Sequence, residues 1–140
     1  MSSDRLKIVN LTPHDIVVEY APGKRNVYPA SGHVARVLTS EQAHLGTIIQ
    51  DGTPVYERQV PVGMEMTVAE ADRDADGVIV SMFAGAYYMD SQTESFTIKT
   101  NIRTPADRLA VYVPDTGPGG VLRDEKGAII GVRRLLDYSE

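Results

Sequence analysis

LAVYVPDTGPGGVLRDEKGAIIGVRRL, residues 109–135, is the stretch that decides how this chain folds. Leu109–Val113 is a short run of apolar, β-prone residues ending at Pro114. Asp115–Gly120 is a break rich in Gly and Pro. Val121–Asp124 and Ala128–Leu135 then frame Glu125-Lys126-Gly127, a tight hairpin with glycine where the turn wants a positive φ. Strand, loop, strand, turn, strand is the grammar of a β protein.

The same grammar runs upstream. Leu6–Val9 and Ile16–Tyr20 flank a Thr12-Pro13-His14-Asp15 break. Pro22-Gly23 is a turn, Val27-Tyr28 leads into Pro29-Ala30-Ser31-Gly32, and His33–Leu38 is a further β run. Thr39-x-x-Gln42 fits a capping box for one helical turn. Asp51-Gly52 separates Thr47–Gln50 from Val55–Val60 as a hairpin signal, and Pro61 to Gly63 reads as another break before a strand at Met64–Val68. Val78–Met82 reads as a buried strand, Phe83–Met89 as a helix, and residues 90–104 as a hairpin arm or long loop. Turn signals this frequent predict a mainly β chain: one small β-sandwich or barrel-like domain spanning residues 1–140, with one or two short helices. The expected core is Ile8, Val17, Val37, Ile49, Val55, Val78, Val80, Leu109, Val111, Ile129 and Val132.

Composition narrows the function classes. With 140 residues, 42% apolar and 24% charged, the chain is long enough to build one core and too apolar for bulk disorder. Its net charge of −5 argues against direct nucleic-acid binding, which needs a basic face. Ten of the 14 cationic residues are Arg, whose planar fork suits carboxylate and phosphate. There is no cysteine, so disulfides, thiolate–metal sites and thiol nucleophiles are excluded. Met1-Ser2-Ser3-Asp4-Arg5 does not begin like a signal peptide, and no apolar run approaches the ~18 residues of a membrane helix.

Three motifs suggest chemistry. Asp115-Thr116-Gly117, with Ile129-Ile130-Gly131 downstream, looks like the two signatures of a retroviral-type aspartic protease. Such an enzyme needs a substrate-covering flap between them, and the few residues here leave no room for one. The protease reading is rejected in favour of a turn opened by Asp, and the chain is expected not to be an enzyme and to need no cofactor. Asp72, Asp74, Asp76 and Gly77 match the first half of a calcium loop, but Phe83 stands where the bidentate Glu belongs. An acidic turn before a buried strand is the better reading. His14, His33 and His44 show no metal-ligand spacing. Gly117-Pro118-Gly119-Gly120 can form a backbone nest for an anion, with Arg123, Arg133 and Arg134 nearby in sequence. Arg123 and Arg133 are expected to face each other across the terminal hairpin.

Taken together, several blocks carry a resemblance. They are Val9-Asn10-Leu11-Thr12-Pro13-His14-Asp15-Ile16, Pro29-Ala30-Ser31-Gly32, Val34-Ala35-Arg36-Val37, Val113-Pro114-Asp115-Thr116-Gly117-Pro118 and Arg123-Asp124-Glu125-Lys126-Gly127. The chain resembles a family of small uncharacterised phage- and prophage-associated proteins that open with NLTPH and end in a VPDTGP…RDEKG hairpin. The resemblance implies a homo-oligomer without enzymatic activity. It acts either in the cytoplasm of the bacterial host, binding a small anionic, nucleotide-like ligand such as a host-defence signal, or in the virion, contacting other virion proteins as a decoration or connector. For the first role, Thr12, His14, Ser31, Arg36, Asp115, Arg123 and Arg133 are expected to converge on one pocket. The neutral groups and Asp115 would orient the ligand, and the arginines would grip its anionic end.

Overall fold

The computed structural model describes residues 6–39, 45–56, 61–89, 97–105 and 108–138. Thirteen strands dominate these residues, with one α-helix and one 3-10 turn. The strands, in chain order, are β1 (Ile8–Asn10), β2 (Ile16–Ala21), β3 (Lys24–Tyr28), β4 (Arg36–Thr39), β5 (Leu45–Ile48), β6 (Pro54–Tyr56) and β7 (Pro61–Met66), followed by β8 (Gly77–Ile79), β9 (Thr97–Thr100), β10 (Ala110–Pro114), β11 (Val121–Arg123), β12 (Ile129–Val132) and β13 (Leu135–Asp137). Helix α1 spans Met82–Met89. The protein is mainly β, as its turn-punctuated sequence predicts.

The centre is a parallel trio. β8 lies between β1 and β10, with Val78 level with Val9 on one side and Val111 on the other. β13 closes this sheet antiparallel to β10. Gly77, Val78 and Ile79 are all buried, which is why the segment reads as an unbroken apolar run rather than an alternation. Helix α1 follows β8 and packs on β10, β4 and β7. A Cβ on Gly85 would collide with Val113 and lie 2.9 Å from the Tyr138 ring, so glycine is what lets the helix approach the sheet. A second sheet, β4-β7-β9, carries Met64 and Met66 into the same core. Each such buried Val, Leu or Met contributes about 1.5–3 kcal/mol of transfer free energy.

The third sheet has the order β11-β12-β2-β3. Its two halves are antiparallel hairpins, joined where β12 runs parallel to β2 through the single register pair Val132–Val18. β5 and β6 pair as a two-stranded ribbon around the Asp51-Gly52 turn, with Gly52 at φ 91°.

Several expectations change. Val78, Val80, Leu109, Val111 and Val132 are buried, and Ile8, Val17 and Val37 are half-buried, but Ile49, Val55 and Ile129 are exposed. The three exposed residues sit on the ribbon and on the outer hairpin, which lie away from the main core. Pro61 to Gly63 belongs to β7 instead of breaking it, with Gly63 tight against the Thr97 backbone. Within the expected arm, residues 97–100 form β9, paired parallel to β7. The rest of the arm from 90 to 96, His44 and the expected turn after Thr39 lie outside the described residues. No helix among the described residues is long and apolar enough to cross a membrane.

Candidate functional site

Asn10, at the end of β1, is the residue on which the N-terminal block is built. It is buried, and its side chain makes four hydrogen bonds. Oδ1 accepts from the Thr12 N–H at 2.9 Å and the Thr12 hydroxyl at 2.7 Å. Nδ2 donates to the carbonyls of His14 at 2.8 Å and Tyr28 at 2.7 Å. Its backbone carbonyl accepts from the Ser31 hydroxyl at 2.7 Å. Thr12 and Ser31 are therefore loop anchors. The Thr12 hydroxyl closes the 10–15 loop on itself, and the Ser31 hydroxyl ties that loop to the chain that follows β3, while His14 is exposed.

The C-terminal block is built on Asp115, which follows β10. Its Oδ1 accepts from the Gly117 N–H at 3.0 Å, and its Oδ2 accepts from Arg134 Nε at 2.7 Å. The Arg134 hydrogen bond, then that from Gly117, hold this carboxyl below the ordinary aspartate range. Both carboxylate oxygens are thus engaged, one by the loop backbone and one by Arg134. A Cβ on Gly120 would run into the Asp115 carboxylate, so the Gly-rich loop folds against that group. Arg134 is more than half exposed, and its two terminal nitrogens have no partner among the described residues.

The two blocks meet. His14, Asp15, Ile16 and Val17 form one side of a groove of about 340 Å³, and Ile129, Ile130, Gly131 and Val132 form the other, with Pro114 and Thr116 at its end. β2 and β12 run parallel beside it, with Val18 level with Val132 and the Gly131 backbone close against Val17. Its walls are mostly apolar, its polar groups lie near His14, Asp15 and Thr116, and its size lies at the small end of ligand sites. The Asp15 carboxylate is engaged, accepting from the Ala30 N–H at 2.8 Å.

Of the seven expected ligand residues, only His14 lines this groove. Thr12, Ser31 and Asp115 direct their polar atoms inward, to the loops beside it. Arg36 sits exposed on β4, in the other sheet. Arg123 donates to the Gly127 carbonyl at 2.7 Å, closing its own hairpin. It lies opposite Ile129, not Arg133, because the hairpin sets Val121 level with Val132, which leaves Arg133 past the end of β12. Arg133 is exposed, with its backbone N–H on the Gly120 carbonyl at 2.7 Å. Sequence reasoning missed the Ile129-Ile130 wall and the weight of Arg134 and Asn10. An Asn two residues before Thr-Pro at a strand end is a readable Asx-turn signal for Asn10. The Asp115–Arg134 pairing depends on tertiary contact and has no local signal.

The acidic turn holds a cation of its own. Lys7 Nζ lies 2.7 Å from Asp74 and 3.6 Å from Asp72 and donates to the Ala71 carbonyl, while the Lys7 N–H donates to Asp76 at 2.8 Å. Hydrogen bonding to Asp74 raises the Lys7 pKa. A fixed ammonium stands among the carboxylates that the calcium reading would assign to the metal, and no group of three or more possible metal ligands occurs among the described residues.

Comparison with protein-family models, with curated proteins and with solved structures finds no match for the chain.

Proposed function

We propose that the protein is a non-enzymatic binder of a small nucleotide-like anion, with the groove between β2 and β12 as its site. The observation that carries this reading is the meeting of sequence positions 14–17, 114, 116 and 129–132 around one groove. The flat, apolar part of the ligand lies between Ile16 and Ile130, where its area leaves water. His14 and Thr116 offer hydrogen bonds at the polar end. Arg134 stands outside the groove lining, tied by Asp115 to the loop that follows the groove residue Thr116; Asp115 fixes one edge of its guanidinium, its outer donors have no partner among the described residues, and a ligand anion extending past Thr116 would meet them. Pinning the arginine in advance lowers the ordering cost of binding. The phage resemblance supports a role in the infected bacterial cell, where such a protein would sequester a nucleotide signal of host defence.

Calorimetric titration with nucleoside 5′-monophosphates, nucleosides and inorganic phosphate tests the reading. At least one nucleotide binds, and Arg134→Ala weakens it roughly ten- to a hundred-fold, as expected for a charge-assisted hydrogen bond of about 1.5–3 kcal/mol. Absence of binding across the panel, or affinity unchanged in Arg134→Ala, overturns it.

A second reading, a structural virion component, is favoured by one observation: the β5–β6 ribbon exposes large apolar side chains. Stoichiometric recovery from purified particles would establish that role.

A further inference from the structure

Every residue from Leu45 to Tyr56 is exposed, including Leu45, Ile48, Ile49, Val55 and Tyr56. The ribbon pairs internally, Leu45 with Tyr56, Thr47 with Val55 and Ile48 with Pro54, and no other described strand joins it. A lone two-stranded hairpin is marginal in water; three or more strands, or packing on another element, are needed to hold one. This ribbon has neither within its own chain among the described residues.

Its two edges differ. β6 begins with Pro54, which has no N–H to offer, a device that blunts an edge strand. β5, Leu45-Gly46-Thr47-Ile48, has no proline and no charge. The sole charged residue of 45–56 is Asp51, at the turn, where its Oδ1 accepts from the Thr53 N–H at 3.0 Å. In a chain of net charge −5, an uncharged edge is where two copies meet without like-charge repulsion.

We propose that β5 is a self-association edge whose occupant is β5 of a second copy of this chain. Antiparallel pairing about a two-fold axis makes the same patch complementary to itself. It produces one four-stranded sheet in the order β6-β5-β5-β6, with the Pro54 edges outermost. The sheet then exceeds the strand number an isolated ribbon lacks, and Leu45 and Ile48 gain neighbours from the second copy. This inference is independent of the groove.

Sedimentation equilibrium of the full chain is the first test. The unmodified protein is a dimer at micromolar concentration, and Ile48→Lys, which puts a charge on the exposed edge, is monomeric with an unchanged far-UV spectrum. The chain has no cysteine, so a single Thr47→Cys substitution gives a second readout: mild oxidation yields a disulfide-linked dimer, whereas Glu125→Cys on the other exposed hairpin does not. A monomeric unmodified protein, a dimer that survives Ile48→Lys, or equal cross-linking at the two positions overturns the proposal. In both supporting and opposing outcomes, nucleotide titration of Ile48→Lys reports on the groove separately.

Discussion

Four side chains close loops in the same way. Asn10, Asp51, Asp115 and Asp124 each accept a hydrogen bond from the backbone N–H two residues ahead, at Thr12, Thr53, Gly117 and Lys126. The Asx-turn lets a short polar side chain imitate a backbone carbonyl, so the chain reverses without a regular element. Asn10 has the most at stake, because it is buried and its amide uses both of its faces. Asn10→Ala leaves buried polar groups without partners and destabilises the fold by about 1–3 kcal/mol, measured by urea denaturation; a loss under 0.5 kcal/mol, the range of ordinary surface changes, would contradict that role. Asp115 adds a pH dependence. Its folded pKa lies below its unfolded one, so its contribution is complete above the unfolded value of about 3.9 and is lost as pH falls through the depressed folded value. Asp51 and Asp74 are shifted the same way, by hydrogen bonds they accept from Thr53 and Lys7, and act in the same window. Stability therefore falls as pH drops below about 4, and Asp115→Asn shows a shallower fall there than the unmodified chain when midpoints are followed from pH 5 to pH 2. Equal slopes would mean that the Arg134 contact does not distinguish the folded state.

Among the elements, the hairpins were legible and the parallel pairings were not. Pro22-Gly23, Asp51-Gly52 and Lys126-Gly127 all mark turns with positive-φ glycine, because the requirement is local and only glycine meets it cheaply. The β8 strand and the helix after it were also readable, from an apolar run long enough to be buried on both sides. Nothing local announces that β1, β8 and β10 lie parallel, since that pairing joins residues about 70 and 30 positions apart. Burial failed for a related reason. β-branched residues at 49, 55 and 129 look like core residues by type, but type does not reveal which face of which sheet is covered. The contrast is measurable. Met64→Ala, at a fully buried position, costs about 2–5 kcal/mol, while Ile129→Ala stays within about 0.5 kcal/mol yet weakens ligand binding, because Ile129 forms part of the groove wall. Gly120→Ala and Gly119→Ala separate just as clearly. A Cβ at 120 enters the Asp115 carboxylate and costs about 1–3 kcal/mol, whereas at 119 the nearest atom is an arginine tip 3.7 Å away. Equal midpoints for the two variants in chemical denaturation would contradict the placement of the loop.

For the molecule as a whole, the two blocks that stand out in the sequence serve one groove, and the residues between them build the scaffold that brings the blocks together. Arg36, Arg123 and Arg133, the arginines expected to grip an anion, do not line the groove, and the anion contact proposed in their place is Arg134. Long arginines on a β scaffold point wherever their strand register sends them, and Arg123 bonds to the Gly127 carbonyl of its own hairpin. The measurement that tests the central claim most directly is a two-dimensional ¹⁵N NMR titration of the full chain with a nucleoside 5′-monophosphate. The account predicts shift changes concentrated at residues 14–17, 114–120 and 129–134, and absent from the same titration of Arg134→Ala at equal concentrations. Changes centred elsewhere, or a spectrum that does not respond to any nucleotide, would contradict it.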